Sequence, residues 1–231
     1  MNTDTRPASA QRVALFDLDG TLTWRDTLLP FLTGYVLRHP ERGVKLWRLP
    51  PALLHYAAAG RDPGRLKSDV IRITMGGESR RVIDAYAQSF VAGLVGRGMF
   101  RPAALAVLEA HREAGDHLVL LSASPDLYVP KIGALLGFER TLCTEVAWRT
   151  GPGGEASLDG SLVTLNRRGE EKCRCLTWLR TQYAGLPIIA YGNSASDLPH
   201  LVQADRAILV NGNATTRHSA KKMGLAIADW R

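Results

Sequence analysis

Cysteine is scarce in this chain of 231 residues, which carries Cys143, Cys173 and Cys175 and no others. There is no CxxC pair and no even set, which excludes a disulfide framework and points to a reducing compartment. Cys173 and Cys175 fall in a helical pattern, two positions apart, so their side chains diverge. Long apolar runs are also missing: none approaches the roughly 20 residues needed to span a bilayer. The nearest, residues 49–59, is short and opens on Pro50-Pro51. Residues 1–10 are polar and small, with Asp4, Arg6 and Pro7, and read as a frayed tail without a signal-peptide core. Internal repeats and low-complexity tracts are absent. The protein is therefore expected in the cytoplasm.

Acidic residues are in deficit, 22 Asp+Glu against 29 Lys+Arg, for a formal charge of +7. That excess favours anionic partners: phosphorylated metabolites, anionic lipid surfaces or nucleic acid. No stacking platform of aromatics and no recognition motif accompanies it, so nucleic acid is not the expected partner. Hydrophobic content of 45% and charged content of 22% are those of a folded chain, long enough for one α/β domain and a smaller insert.

Four apolar runs stop abruptly at polar clusters. Residues 13–16 end in Asp17-Leu18-Asp19-Gly20-Thr21, and residues 118–121 in Ser122-Ala123-Ser124-Pro125. Residues 187–191 end in a Gly192-Asn193 turn that runs to Asp197, and residues 207–210 in Asn211-Gly212-Asn213. Helical patterns lie between, over 103–114, 127–136, 170–183 and 198–203. Strands alternating with helices predict a parallel sheet, and ligands bind outside the carboxyl ends of its strands. The stretch 24–100 breaks the alternation. It holds helical patterns over 28–37, 44–59, 65–73 and 81–95, separated by Pro40, Gly43, Gly60, Pro63, Gly64, Gly76 and Gly77. It reads as a helical cap inserted into a core formed by 11–23 and 101–231. Gly76-Gly77 and Gly96-Arg97-Gly98 are candidate hinges, and a β-hairpin of 142–148 with 161–165 is expected around Gly151 to Gly154.

The polar clusters carry the chemistry. Asp17 and Asp19, spaced by two at a strand end, suit a hard cation such as Mg²⁺. Asp17 then serves as nucleophile on phosphorus, and Asp19 protonates the leaving oxygen and activates water. Ser122 and the N–H groups after it, Ala123 first, can donate to phosphate oxygens. Standing alone, Ser124-Pro125 reads as a helix N-cap followed by a first-turn proline. Lys172 is the cation that can pin Asp17 and a phosphoryl group, with Arg167, Arg168 and Arg174 as competitors. Asn193 and Asp197 offer a neutral and an anionic oxygen to a metal or its waters.

In this order, the four clusters resemble the motifs of the haloacid-dehalogenase superfamily: DxDxT, a Ser after a strand, a Lys, and a G(D/N)xxxD loop. The resemblance spans about residues 12–230 and is nearest to subfamily IB, whose helical C1 cap sits between the first and second motifs. That branch includes phosphoserine phosphatases and proteins similar to phosphatidylglycerophosphatase C. The resemblance implies a Rossmann-like core with an all-helical cap, and a phosphoric monoester hydrolase working through an aspartyl-phosphate on Asp17. It implies Asp19 as general acid/base whose carbonyl also meets Mg²⁺, and Ser122 and Lys172 as the phosphate-binding pair. Asn193 and Asp197 fall in the last motif, and Asp26 lies where cap-side polar residues meet substrate. Asn193 stands where many members have Asp, which removes a charge from the metal site and leaves a binding-only protein as an alternative. Asp19 argues against dehalogenation.

The cap hints at the substrate. Arg38, His39, Arg42, Lys45 and Arg48 interleave with Val44, Leu46, Trp47 and Leu49, ahead of apolar Pro51, Ala52, Leu53 and Leu54. The stretch is either a basic outer face over a packed apolar side, or a surface for peripheral contact with the inner face of an anionic membrane. The first favours a small substrate such as phosphoserine, the second a lipid phosphate such as phosphatidylglycerophosphate.

Overall fold

The computed structural model describes residues 11–58, 60, 62–151 and 154–230. The expected tail at 1–10 lies outside these. Its centre is a six-stranded sheet in the order β3-β2-β1-β6-β7-β8, parallel throughout. The strands are β1 (Val13–Phe16), β2 (His117–Pro125), β3 (Arg140–Thr144), β6 (Ile188–Gly192), β7 (Arg206–Val210) and β8 (Ala226–Ala228). A second sheet is the antiparallel hairpin of β4 (Val146–Thr150) and β5 (Ala156–Leu162).

Alternation in the strands builds two cores. Ala14, Phe16, Leu118 and Leu120 face α5 (Pro102–Glu113), α6 (Val129–Leu135) and the helical insert. Val13, Leu15, Val119 and Leu121 face α7 (Glu170–Gln182), α8 (Leu198–Leu201) and α9 (Ala214–Lys222). A strand buried on both faces must read as a continuous apolar run, as residues 13–16 do. Each of the large side chains there contributes on the order of 1.5–3 kcal/mol by leaving water.

At the amino ends of β1 and β2, Asp116 ties the two strands together. Its carboxylate accepts from Arg12 N at 3.1 Å, Arg12 Nη2 at 2.9 Å and His111 Nδ1 at 2.6 Å. Burial works against its charge, but the Arg12 and His111 hydrogen bonds hold its pKa below the ordinary carboxylate range. A depressed folded-state pKa means stability that is present above about pH 4 and lost as pH falls below it. Asp116→Ala is expected to destabilise the fold by about 2–3 kcal/mol at neutral pH and less below pH 4, as read by urea denaturation. An equal loss at both pH values would contradict the assignment.

The insert contains α1 (Leu28–Arg38), 3₁₀ turns over Pro40–Arg48, α2 (Leu49–Ala58), α3 (Pro63–Met75) and α4 (Arg80–Gly96). The helix expected over 44–59 is thus divided, because Pro50 and Pro51 lack the N–H groups that an uninterrupted helix needs. The chain leaves and re-enters the core side by side: Thr23 bridges Phe100, Trp24 N donates to Met99 O and Arg101 N to Leu22 O.

The second half of the chain corrects two expectations. Residues 142–144 belong to β3 of the main sheet, so the hairpin is β4 with β5: its first arm starts later than the expected 142 and its second, at Ala156, earlier than the expected 161. It leans on the insert: Leu158 and the turn after α3 exchange bonds, Gly77 N to Leu158 O and Leu158 N to Glu78 O, both 2.8 Å. The Gly76-Gly77 hinge candidate is therefore tied down at Gly77. Gly160, at φ +87°, lets β5 approach α3, since a Cβ there would lie 3.0 Å from Arg72 Cα. No helix among the described residues is long and apolar enough to cross a membrane.

Candidate active site

The sheet reverses its winding at β1, which lies between β2 and β6, and the crevice at such a point is where ligands bind. Asp17 follows β1 directly, Ser122 to Ser124 lie at the carboxyl end of β2, and Asn193 follows β6. A cavity of about 290 Å³ opens there. Its walls include Asp17, Asp19, Asp26, Ala123, Lys172, Asn193 and Asp197, seven of the eight residues singled out by sequence.

Lys172 joins two of the motifs. Its Nζ donates to Asp17 Oδ1 and to Asp197 Oδ1, both at 2.6 Å, and all three groups are buried. Two of the three competing cations point elsewhere: Arg167 to Cys143 O and Cys175 Sγ, Arg174 to Glu171. Arg168 lines the cavity. Burial opposes the Lys172 charge, yet the two carboxylates outweigh it and raise its pKa above the usual lysine value. Asp17, whose Oδ2 accepts from Thr21 Oγ1 at 2.9 Å, is pushed up to about 7. Burial is the main cause, relieved by Lys172 and reinforced by Asp197.

Asp197 behaves differently. Burial works against its ionisation, but Lys172 and the Ser194 hydroxyl bring its pKa below the ordinary range. Its Oδ2 accepts from Asn193 N, Ser194 N and Ser194 Oγ, and its Oδ1 is held by Lys172. A carboxylate has about four lone-pair sites, so this one is committed to the protein. Asp197 thus fixes the Asn193 loop and orients Lys172.

Asp19 is raised above the usual carboxyl range by burial and by the nearby Asp26 charge, against hydrogen bonds from Ser124 and Thr27. Thr27 N and Oγ1 donate to its Oδ1 at 2.8 and 2.7 Å, and Ser124 Oγ donates to its Oδ2 at 2.6 Å. With its proton on Asp19, the Thr27 hydroxyl accepts from Tyr128 OH, a fully buried phenol 2.9 Å away.

Ser124 therefore corrects a sequence expectation. It caps no helix: β2 continues through Pro125, and α6 starts at Val129 with Pro130 in its first turn. Ser122 is the one expected residue outside the cavity lining. It is fully buried, and its Oγ accepts from Ser124 N at 3.1 Å. Asp26 caps the start of α1 by accepting from Leu28 N and Leu29 N.

Two residues that sequence reading missed come from distant segments. Lys67 of α3 donates to Ala123 O and Asn166 Oδ1, both at 2.5 Å, linking the insert to the core beside the cavity. Burial lowers its pKa to about 8, with Asp19 and Asp26 acting in the opposite direction. Neither lies in a motif, and a single Lys on an amphipathic helix gives no local signal.

The donors fit a hard divalent cation. Among the described residues no three His, Cys, Asp or Glu side chains gather closely enough to hold a metal. With Asp197 committed and the Asp19 carboxyl accepting from Thr27 and Ser124, the available set is Asp17, the Asp19 carbonyl and the Asn193 amide, all oxygen, in keeping with an ion that retains several waters. Gly20 brings the first and last motifs into contact: at φ +82°, a Cβ on it would fall 2.0 Å from Asn193 Nδ2.

Comparison with known proteins agrees with this geometry. The family described as haloacid dehalogenase-like hydrolase matches residues 14–201. The protein CicA of Caulobacter vibrioides is 32% identical over 190 residues, covering 82% of each chain. A Bordetella pertussis Tohama I protein of unknown function superposes with a TM-score of 0.78 at 22% identity, over 96% of this chain and all of that one. A phosphoserine phosphatase, solved as a phospho-aspartyl intermediate analogue, superposes with a TM-score of 0.64 at 14% identity, over 96% and 94% of the two chains. Its four motifs, parallel sheet and matched span together mean that this chain belongs to the haloacid dehalogenase-like hydrolase family.

Proposed function

We propose that the protein is a Mg²⁺-dependent phosphomonoester hydrolase that forms an aspartyl-phosphate on Asp17. The observation that carries this reading is the contrast between two carboxyls at one cavity: Asp17 paired with Lys172, and Asp19 set among hydroxyl and amide donors. Different environments for paired carboxyls assign different roles. Asp17 presents an oxygen to phosphorus while Lys172 fixes its rotamer and meets the phosphoryl charge. Asp19 gives a proton to the leaving oxygen and then takes one from the attacking water. Ala123 N–H and Lys172 stand as phosphate donors, with Ser122 bracing the loop behind them. Asp17, the main-chain carbonyl of Asp19 and Asn193 would hold Mg²⁺, whose chemistry when bound is to neutralise phosphoryl charge and favour the ionised form of Asp17.

The unit comprises a core of 11–23 and 101–231 and a cap of 24–100, joined at the paired crossing of Thr23 with Phe100. The substrate is a phosphorylated small molecule such as phosphoserine, or the head of a lipid phosphate such as phosphatidylglycerophosphate. A cavity of about 290 Å³ admits a phosphate with a small polar group in either case. Hydrolysis of p-nitrophenyl phosphate is expected to stop in EDTA and return with Mg²⁺. Equal turnover in EDTA would sink the metal requirement.

A further inference from the structure

The cap segment of residues 40–58 leaves much of its apolar surface uncovered. Its apolar residues divide: Leu46, Leu49, Ala52 and Tyr56 are half-buried, but neither the 3₁₀ turns of Pro40–Arg48 nor α2 (Leu49–Ala58) contains a fully buried residue. Val44 is 76% exposed, Trp47 67% and Leu54 71%, with Leu37 and Leu53 also exposed. The charged residue that does turn inward is Arg42. It donates to Gly76 O at 2.9 Å and pairs with Glu78 at 2.7 Å, and Glu78 also accepts from Tyr35 OH. The segment is thus pinned to the cap by a guanidinium while Val44, Trp47, Leu53 and Leu54 face outward. Water alone does not reward that arrangement.

We infer that residues 37–54 form a docking surface for an anionic lipid bilayer. Charge selects this occupant. Over residues 37–58 the bases are Arg38, Arg42, Lys45 and Arg48, against Glu41 as the single acid. With Arg42 spent on Glu78, Lys45 and Arg48 flank the exposed Val44 and Trp47, a pairing that suits lipid headgroups above an apolar interior. A second copy of the chain would bring the same bases against one another. Residues 1–10 hold no large apolar side chain but Met1 and offer no cover for five exposed ones. The site lies close by: α2 borders α3 around Asp62 and Arg65, next to Pro63, which lines the active cavity. The surface deepens the lipid side of the proposed function and rests on that reading for its purpose, while docking itself requires no turnover.

Flotation of the full chain with vesicles tests it. The protein should float with phosphatidylglycerol/phosphatidylcholine vesicles at low salt, and not with phosphatidylcholine alone. The double variants Trp47→Ser/Leu54→Ser and Lys45→Glu/Arg48→Glu should each bind about tenfold more weakly or worse, the second with a shallower salt dependence. Circular dichroism and p-nitrophenyl phosphate turnover should match wild type in both. The inference is overturned if the wild type stays unbound, if the folded variants float equally well, or if they convert a non-floating dimer to a monomer. Flotation without any phosphatase activity would defeat the proposed chemistry and leave the surface standing. Turnover without flotation would do the reverse.

Discussion

Asp17→Asn is expected to reduce phosphate ester hydrolysis by about four orders of magnitude or more, since loss of a nucleophile removes the covalent route entirely. The fold should survive, because Asn keeps the shape, its oxygen can still accept from Lys172, and the Thr21 hydroxyl can turn to accept from its NH2. It should in fact gain stability. Asp17 is raised to about 7 chiefly by burial, so the folded protein disfavours its charge. A carboxyl with a raised folded-state pKa costs stability as pH climbs from its unfolded value near 4 toward about 7. In EDTA, the melting temperature of Asp17→Asn should therefore exceed wild type at pH 7, with the gap closing toward pH 4. A variant that melts lower at pH 7 would show that the Lys172 pair outweighs burial. Trading stability for reactivity in this way is common at active sites.

Lys172→Met should produce the opposite combination, losing both activity and stability. It leaves Asp17 and Asp197 buried with their shared cation gone, and breaking such a pair by removing one partner costs about 3–5 kcal/mol. Asp197 still accepts from Asn193 N, Ser194 N and Ser194 Oγ and keeps its charge, whereas Asp17 is left with Thr21 alone, so Asp17 is the group that takes up a proton and ceases to be a nucleophile. Adding Asp197→Asn should restore part of the stability and none of the turnover. Recovery of turnover in the double variant, measured with p-nitrophenyl phosphate, would show that Lys172 is needed only to balance charge.

The parts of this site legible in sequence are those governed by neighbours along the chain. Asp17, Asp19 and Asn193 follow apolar strands, and the strand-then-polar pattern places them at one edge of a parallel sheet whatever the rest of the chain does. Lys172 was legible through its position in the motif order, not from its own surroundings. The parts that were not legible depend on pairing across long separations. Ser124 has the local signature of a helix cap, and only the approach of Asp19 from 105 residues away turns its hydroxyl into a carboxyl donor. Lys67 and Asn166 meet across 99 residues. The β3 residues and the hairpin form one run of β-propensity, so sequence gives no sign that the chain changes sheets at Glu145. The apolar content of α2 was legible as composition, while the exposure of Leu53 and Leu54 depends on what the rest of the cap leaves uncovered.

The central claim is covalent chemistry at Asp17, and mass spectrometry of the acid-quenched protein tests it most directly. After brief mixing with Mg²⁺ and a turned-over phosphate ester, the peptide containing Asp17 should carry one phosphoryl group, with no such mass in Asp17→Asn. Wild-type turnover under the same conditions with Asp17 never modified, and with activity surviving in Asp17→Asn, would contradict the account.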